Sequence, residues 1–561
     1  MDSMGTALPR MDEKAKKNAG HPYGVEPMGN MFMSGNPSNC RLGGLGTLST
    51  LDDERMLHLM TFMDASTLCR LASVSRALYV FSHVDELWKT MVVEEMERHP
   101  GETVRPHGAW KDTYAFLRQR SAGAKEATFV AHIPVKVPGF FSDLLFQPHH
   151  CATTPIRPEW LERSTVDRKA GLSAEEFRRE YEESNLPVVL TDGAARWPAL
   201  EKWTRNQLLS KHGDLRLHAG GLEFELKDYL RYAEESRDEL PLYVFDKHFA
   251  DKCPELGQDY TVPDAFPEDL FAVLGSERRP DHRWLIAGPA RSGSSFHVDP
   301  NRTSAWNVTV CGRKKWIMFP PGETPPGVHP SEDGLDLAAP VSLMEWFLNF
   351  YEECHAPERR VPPLECVVGP GEVVFVPTGW WHCVLNLEWS VAITQNYVSS
   401  VNLRHVIRFL LNQKHLISGL PVEEREDLGD RFVAALASQR PDLGAPYIAD
   451  RCRKAIPRGT STDGCGNGHG RSQRFTRKAR PGSDCGTVGD NAASLEDEKA
   501  KKAKLWERLA GDKERGVVVS REAIVSGYAG GVKEGCKGQP YIGSAASGAD
   551  GGGFRFDFSL A

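Results

Sequence analysis

The spacing of three residues constrains this chain more than any other feature. His297 and Asp299 stand in SSFHVDP, and His382 follows 85 positions after His297, in PTGWWHCVLN. Side chains alternate along a strand, so His297 and Asp299 project to one face, about 7 Å apart, while Val298 is expected to face the core. Two imidazoles and one carboxylate can take one face of an iron(II) ion and leave its other positions open for a co-substrate and O2. The third ligand must then arrive from a neighbouring strand. GEVVFVPTGWWH is built to deliver it: Val373, Val374, Phe375 and Val376 read as a buried strand, Pro377 and Gly379 as a turn, and His382 as the start of the return strand. A lone histidine in such a segment is ordinarily a core residue. Three ligand types in two strand contexts reverse that reading.

The surrounding sequence supplies the sheet. Between Leu242 and Val401 short β-rich runs alternate with Gly/Pro turns: WLIAGP, AWNVTV, KKWIMFP, EVVFVP and VAITQNYV. This is the pattern of an all-β sandwich or barrel. CVLNLEWSVAIT reads as two strands about a turn near Glu388, and antiparallel pairing there sets His382 opposite Thr394. A buried hydroxyl needs a partner, which a bound carboxylate would provide. In WNVTVCGRKKWIMFP, Lys314 is in phase with Trp316 and Met318, and Lys315 with Ile317 and Phe319. One of these lysines must point inward, where an unpaired charge is costly. Arg313 and Lys315 are expected to snorkel to the surface.

A chain of 561 residues is too long for one core, and two or three domains are expected. The formal net charge of −8 is mild and gives no whole-chain nucleic-acid footprint. No apolar run approaches a membrane span, and MDSMGTALPRMDEKAKK has no apolar core like that of a signal peptide, so a soluble intracellular protein is expected. The 12 cysteines contain no CxxC pair, which argues against a zinc module or a disulfide framework and for reduced, mostly buried thiols.

Five segments follow from the pattern. Residues 1–43 read as a disordered tail. Residues 44–97 are helical, with Leu51, Met56, Leu57, Leu59 and Met60 at helical spacing and Asp64 as a candidate cap before Leu68 and Leu71. Residues 98–165 form a connector with strand-like pieces such as HIPVKVPGFFSDLLF. Residues 166–445 hold the β-rich domain with flanking helices, entered through a capping box at Ser173 and Glu176 and closed by RHVIRFLLNQKHLI and VEEREDLGDRFVAALAS. Residues 446–561 form a mostly disordered tail with a short helix near 495–510; within it, 451–480 carry nine Lys/Arg against one acid.

Two resemblances organise these segments. LSTLDDERMLHLMTFMDASTLCRLASVSRALYVFSHVDELWKTMV resembles an F-box over roughly 45 residues. The resemblance implies docking on a Skp-family adaptor of a cullin ubiquitin ligase. The segment departs from the family at Asp52, where proline is usual. WLIAGPARSGSSFHVDPNRTSAWNVTVCGRKKWIMFPP, with GPGEVVFVPTGWWHCVLNLEWSVAITQNYV, resembles a JmjC domain, and is most similar to the branch of the phosphatidylserine-receptor-like lysyl hydroxylase and arginine demethylase. That resemblance runs from about Asp167 to Val401. The fold class implied is α+β multidomain: a small helical F-box, then a double-stranded β-helix (jelly-roll, cupin-like) with flanking helices.

The JmjC resemblance also implies Fe(II), 2-oxoglutarate and O2. Carried onto this chain, His297, Asp299 and His382 would hold iron. Ser294, Lys314 and Thr394 would hold the distal carboxylate of 2-oxoglutarate, with Ser294 replacing a usual threonine and keeping its hydroxyl. Asn307 would bond to the co-substrate near the metal, and Tyr243 and Trp284 would wall the pocket. The implied reaction couples decarboxylation of 2-oxoglutarate to succinate with hydroxylation of lysine or arginine side chains of a protein; on an N-methyl group the product loses formaldehyde. The alternative implied by the F-box is a ligase substrate receptor that uses the JmjC fold for recognition. The basic stretch, with RFTRKARP, suggests nuclear import or RNA contact, and the JmjC resemblance implies a largely nuclear family, giving an expected location in the nucleus and also in the cytoplasm.

Overall fold

Apolar runs between Arg283 and Tyr397 supply eight strands to the two main sheets: β1 (Arg283–Gly288), β2 (Gly293–Val298), β3 (Ser304–Cys311), β4 (Lys314–Phe319), β5 (Leu364–Val368), β6 (Val373–Val376), β7 (Trp381–Asn386) and β8 (Ser390–Tyr397). They come from a computed structural model that describes residues 20–33, 39–121 and 129–455. β6, β3, β8 and β1 pair antiparallel in that order and form the middle of a nine-stranded sheet. Val188–Leu190 and Asp167–Lys169 extend it beyond β6; Val244–Asp246, Arg216–Ala219 and Leu222–Glu225 extend it beyond β1. β5, β4, β7 and β2 make a second, four-stranded sheet. The two face each other, with Ala305, Val374 and Val376 of the larger packed with Trp316, Met318 and Val384 of the smaller. This is the jelly-roll arrangement expected, a cupin-like domain with a sheet-rich core.

One pairing differs from expectation. β7 and β8 are not a hairpin about Glu388: β7 lies in the smaller sheet and β8 in the larger. His382 is therefore opposite Met318 and His297, and Thr394 is opposite Asn307 and Trp284. The chain crosses between sheets at Glu388, whose carboxylate meets Arg313 at 3.0 Å. The expectation that both residues face one space survives by another route, since each looks into the gap from its own sheet.

The outer face of the smaller sheet is also buried. Phe296, Ile317, Phe319, Cys383 and Leu385 pack with Trp160 and with Trp346 and Phe347 of the helix Leu343–Phe350. Lys315 shares that face and is fully buried, against the surface position expected for it. Its ammonium pairs with Glu365 at 2.7 Å and donates to the Arg163 carbonyl at 3.1 Å. Val298 is only half-buried; Phe296 is the neighbour that reaches the core.

The N-terminal part is a helical region. α1 (Asp53–Thr61), α2 (Ala65–Leu71) and α3 (Arg76–Phe81) start at Asp52, Asp64 and Ser75, each of whose side chains accepts a backbone N–H of the first turn. α4 (Asp85–Arg98) and α5 (Trp110–Ser121) follow and pack together. Met56, Met60, Leu68, Phe81, Trp88 and Val92 fill the space between them, at spacings that put each on its helix's inner side. Two boundaries differ from expectation. Val25–Glu26 pairs with Phe140–Phe141, so part of the expected disordered tail is ordered against the expected connector. The connector itself holds α5 and α6 (Asp143–Thr153), and its DLLF run is helical, capped by Ser142. On the C-terminal side, Leu403–Asn412 and Leu428–Gln439 form the expected helices, followed by Pro441–Ala455. The Gly/Ser/Asp-rich residues 459–492, the helix expected near 495–510 and nearly all of the basic stretch lie outside the described residues. The eight cysteines from Cys40 to Cys383 are free, and four of them are buried. No described helix is long and apolar enough to cross a membrane.

Candidate active site

β2 and β7 deliver the two histidines. His297 and His382 are cross-strand partners whose ring centroids lie 4.1 Å apart, and Asp299 follows the end of β2. One donor atom from each of the three lies within 4.8 Å of the others. Each Nδ1 donates to the carbonyl two residues before it, His297 to Ser295 at 2.8 Å and His382 to Trp380 at 3.1 Å. That fixes the tautomer and directs the Nε2 lone pair of each ring toward the shared space. Burial holds both rings neutral by lowering their pKa values to about 4; for His297 the neighbouring His382 adds to it.

Asp299 completes the set. Its Oδ1 accepts from Asn396 Nδ2 at 3.2 Å, and Asn396 also donates to Thr303 at 2.9 Å. Its Oδ2 is buried without a hydrogen-bond partner, an expensive state for a carboxylate unless a cation meets it. Two neutral imidazoles and one unsatisfied carboxylate oxygen are a donor set that fits a divalent transition metal.

A second group of residues fits a dicarboxylate. Lys314 is fully buried on the inward face of β4. Its ammonium donates to Asn386 Oδ1 at 2.7 Å and to the Tyr243 phenol at 3.4 Å, over whose ring it lies at 5.6 Å. Neither partner is charged, and burial pulls the lysine pKa down to about 7. Among the described residues this buried ammonium, held by an amide and a phenol, meets no anion. Asn307 and Thr394 are cross-strand partners on the facing sheet; the Asn307 Oδ1 is buried without a partner, and Thr394 donates weakly to the Trp306 carbonyl at 3.3 Å. Trp284, opposite Thr394, stacks on Phe245 at 5.2 Å.

Ser294 reaches the same face through a bulge. It is three residues from His297, which in a regular strand would put it on the opposite side. The register between β2 and β7 shifts by one residue between His382 and Val384, so Ser294 stands opposite Val384 while His297 stands opposite His382. The sequence reading placed Ser294 with the others by resemblance alone; the bulge is the physical reason. Three further residues were missed: Asn386, Asn396 and Trp316, which stacks on His382 at 5.9 Å. Phase would have found them, since Asn386 alternates with His382 and Val384, and Asn396 with Thr394.

Comparison with known proteins agrees with this geometry. Residues 173–402 match the model of the cupin-like domain family. The chain is 45% identical over 424 residues to the arginine-specific demethylase JMJ22 of Arabidopsis thaliana, covering 75% of this chain and 82% of that protein. The chain belongs to the JmjC family of 2-oxoglutarate- and iron-dependent oxygenases. It is also 37% identical to the bifunctional arginine demethylase and lysyl-hydroxylase psr-1 of Caenorhabditis elegans, over 50% of this chain and 70% of that one. With the human 2-oxoglutarate and iron-dependent oxygenase JMJD4 it shares 30% identity, over 47% and 68% of the respective chains. As a JmjC oxygenase it is an enzyme that uses Fe(II), 2-oxoglutarate and O2. Those groups supply the oxidising chemistry when bound. The chain's own residues keep the site dry, hold both imidazoles neutral and offer one cation to one anion.

Proposed function

We propose that this chain hydroxylates, and on N-methylated side chains demethylates, lysine or arginine residues of proteins. His297, Asp299 and His382 hold the iron in this reading. Lys314, Tyr243, Ser294 and Thr394 receive the distal carboxylate of 2-oxoglutarate, and Asn307 meets its other end. The observation that carries it is the juxtaposition of a His/His/Asp set, whose Asp299 Oδ2 is buried without a hydrogen-bond partner, with a buried lysine that meets no anionic partner among the described residues. The substrate class is supported by the names of its relatives, an arginine demethylase and a lysyl hydroxylase. Incubation with lysine- and arginine-containing peptides, with and without N-methyl groups, tests it by mass spectrometry. Addition of one oxygen, or loss of one methyl carbon, is expected and should vanish in His297→Ala. A panel of basic peptides left unmodified while 2-oxoglutarate is consumed would remove the substrate class.

We propose further that the helical region docks a Skp-family adaptor as an F-box does. Phe62 and Val74 are large apolar residues left 62% and 68% exposed on it, which favours a partner there. Asp52, where that family usually has proline, still starts the first helix, its Oδ1 accepting from the Arg55 amide at 2.8 Å. Co-purification of the adaptor with the full chain, lost on Phe62→Glu, is the expected outcome; absence of any such partner would leave the region as a structural module. RNA contact rests on the basic stretch, and nuclear location on that stretch together with the family resemblance; a fluorescent fusion that stays cytosolic would dismiss the second.

A further inference from the structure

Several polar contacts join the N-terminal helices to the oxygenase domain, and most end locally. Val104 N–H donates to the Glu223 carbonyl at 2.9 Å, Arg216 donates to the Gly101 carbonyl at 2.8 Å, and Arg105 stands 3.9 Å from Asp228. One contact continues inward. Trp110, the first residue of α5, donates its indole N–H to both carboxylate oxygens of Asp238, at 3.0 and 3.1 Å. Lys89 of α4 lies 3.9 Å from the same carboxylate and 5.7 Å over the Trp110 ring. Asp238 is nearly buried, its side chain 7% exposed.

On the other side of Asp238, Tyr232 donates its hydroxyl to Oδ2 at 2.7 Å and accepts the Leu242 N–H at 2.8 Å. Tyr229, one turn earlier on the helix Leu226–Glu235, donates to the Leu242 carbonyl at 2.9 Å and to the Ala287 carbonyl of β1 at 3.1 Å. Both backbone groups of Leu242 are thus held by that helix. The next residue is Tyr243, whose phenol meets Lys314. Residues 236–243 form neither helix nor strand, so these hydrogen bonds hold Tyr243 from its N-terminal side, while the strand that begins at Val244, paired with Ala287 and Ala219, holds it from the other. The ring has little room to compensate: a Cβ at Gly288 would come within 2.8 Å of it.

We infer that the N-terminal helical region sets the affinity of the oxygenase domain for 2-oxoglutarate, with Asp238 as the positioning residue that relays it. Trp110 and Lys89 hold the carboxylate, the carboxylate holds the Tyr232 hydroxyl, and Tyr232 with Tyr229 holds Leu242 and hence the Tyr243 phenol against Lys314. Charge-assisted hydrogen bonds to a buried carboxylate are among the stronger ones available, and removing a donor leaves the acceptor unsatisfied. The inference rests on the reading that Lys314 and Tyr243 receive the distal carboxylate.

The test uses the full chain with Mn(II) in place of Fe(II). The dissociation constant of 2-oxoglutarate is measured for the wild type, Trp110→Phe, Asp238→Asn, Arg105→Ala and Lys314→Met, and Mn(II) affinity is measured separately by its magnetic resonance signal. Trp110→Phe keeps an aromatic ring and loses the N–H, so it decides the matter if Asp238→Asn does not fold. Expected is a weakening of 2-oxoglutarate binding by about 5- to 20-fold in Trp110→Phe and Asp238→Asn, the usual size of an energetic coupling between sites. Mn(II) affinity should be unchanged, and Arg105→Ala should lower the melting temperature alone. Wild-type 2-oxoglutarate affinity in Trp110→Phe, with loss in Lys314→Met, overturns the inference and leaves the pocket reading standing. Retained affinity in Lys314→Met overturns both. Equal loss of Mn(II) and 2-oxoglutarate in Trp110→Phe would mean general loosening and also overturns it.

Discussion

Two adjacent lysines show how much a single residue's fate depends on what covers it. Lys314 and Lys315 are both fully buried, on opposite faces of β4. Lys314 meets no anion among the described residues, and burial lowers its pKa to about 7. In the free protein its proton is therefore lost as pH rises through about 7, and the dianion finds no cation. We expect the 2-oxoglutarate dissociation constant, measured by calorimetry, to rise above that pH by up to about tenfold per unit. The stability term has the matching sign. A lysine whose folded pKa lies below its unfolded value costs stability while charged, so the ligand-free chain should gain stability as pH rises from about 7 toward 10.5. Lys315 is instead matched by Glu365, with His355 at 2.9 Å from the same carboxylate. Lys315→Met strands that carboxylate and should cost about 3–5 kcal/mol in urea unfolding, while Lys315→Met with Glu365→Leu should recover most of it. Phase in the sequence showed that one lysine had to point inward. It could not show that the other face was covered too, because Trp160 and the helix Leu343–Phe350 come from distant sequence.

At the level of elements, the strands were legible and their partners less so. All five apolar runs singled out in the sequence are strands of the jelly roll, and the capping box at Ser173 is present as read. The hairpin about Glu388 was misread because nearness in sequence favours pairing in general, whereas successive strands of a jelly roll cross between sheets. The bulge in β2 was not legible at all, since a register shift depends on the partner strand. Gly293 sits beside it at φ 145°, and a Cβ there would collide with the Val384 carbonyl. Gly293→Ala should therefore force β2 away from β7, lower the melting temperature and weaken Mn(II) binding, because His297 and His382 are paired across those same strands. Unchanged Mn(II) affinity in a destabilised Gly293→Ala chain would detach the metal site from the bulge.

Across the whole molecule, the order of a helical region before a β-rich one was legible and the joints were not. The expected tail and connector carry too few apolar residues in regular phase to announce structure. Yet Val25–Glu26 and Phe140–Phe141 pair, and Cys151 and Trp160 close the outer face of the smaller sheet. Such segments order only because a surface formed elsewhere receives them. Trp160 is 1% exposed, and Trp160→Ala should cost about 3–5 kcal/mol of stability although it stands outside the span of the JmjC resemblance. The central claim, an oxygenase centre at His297, Asp299 and His382, is tested most directly by succinate formation. Purified full-length protein is supplied with Fe(II), ascorbate and 2-oxoglutarate beside His297→Ala, and binding of Mn(II) and 2-oxoglutarate is followed in parallel. The account predicts succinate from the wild type and none from the variant. A wild-type chain that forms no succinate and binds neither Mn(II) nor 2-oxoglutarate would contradict it.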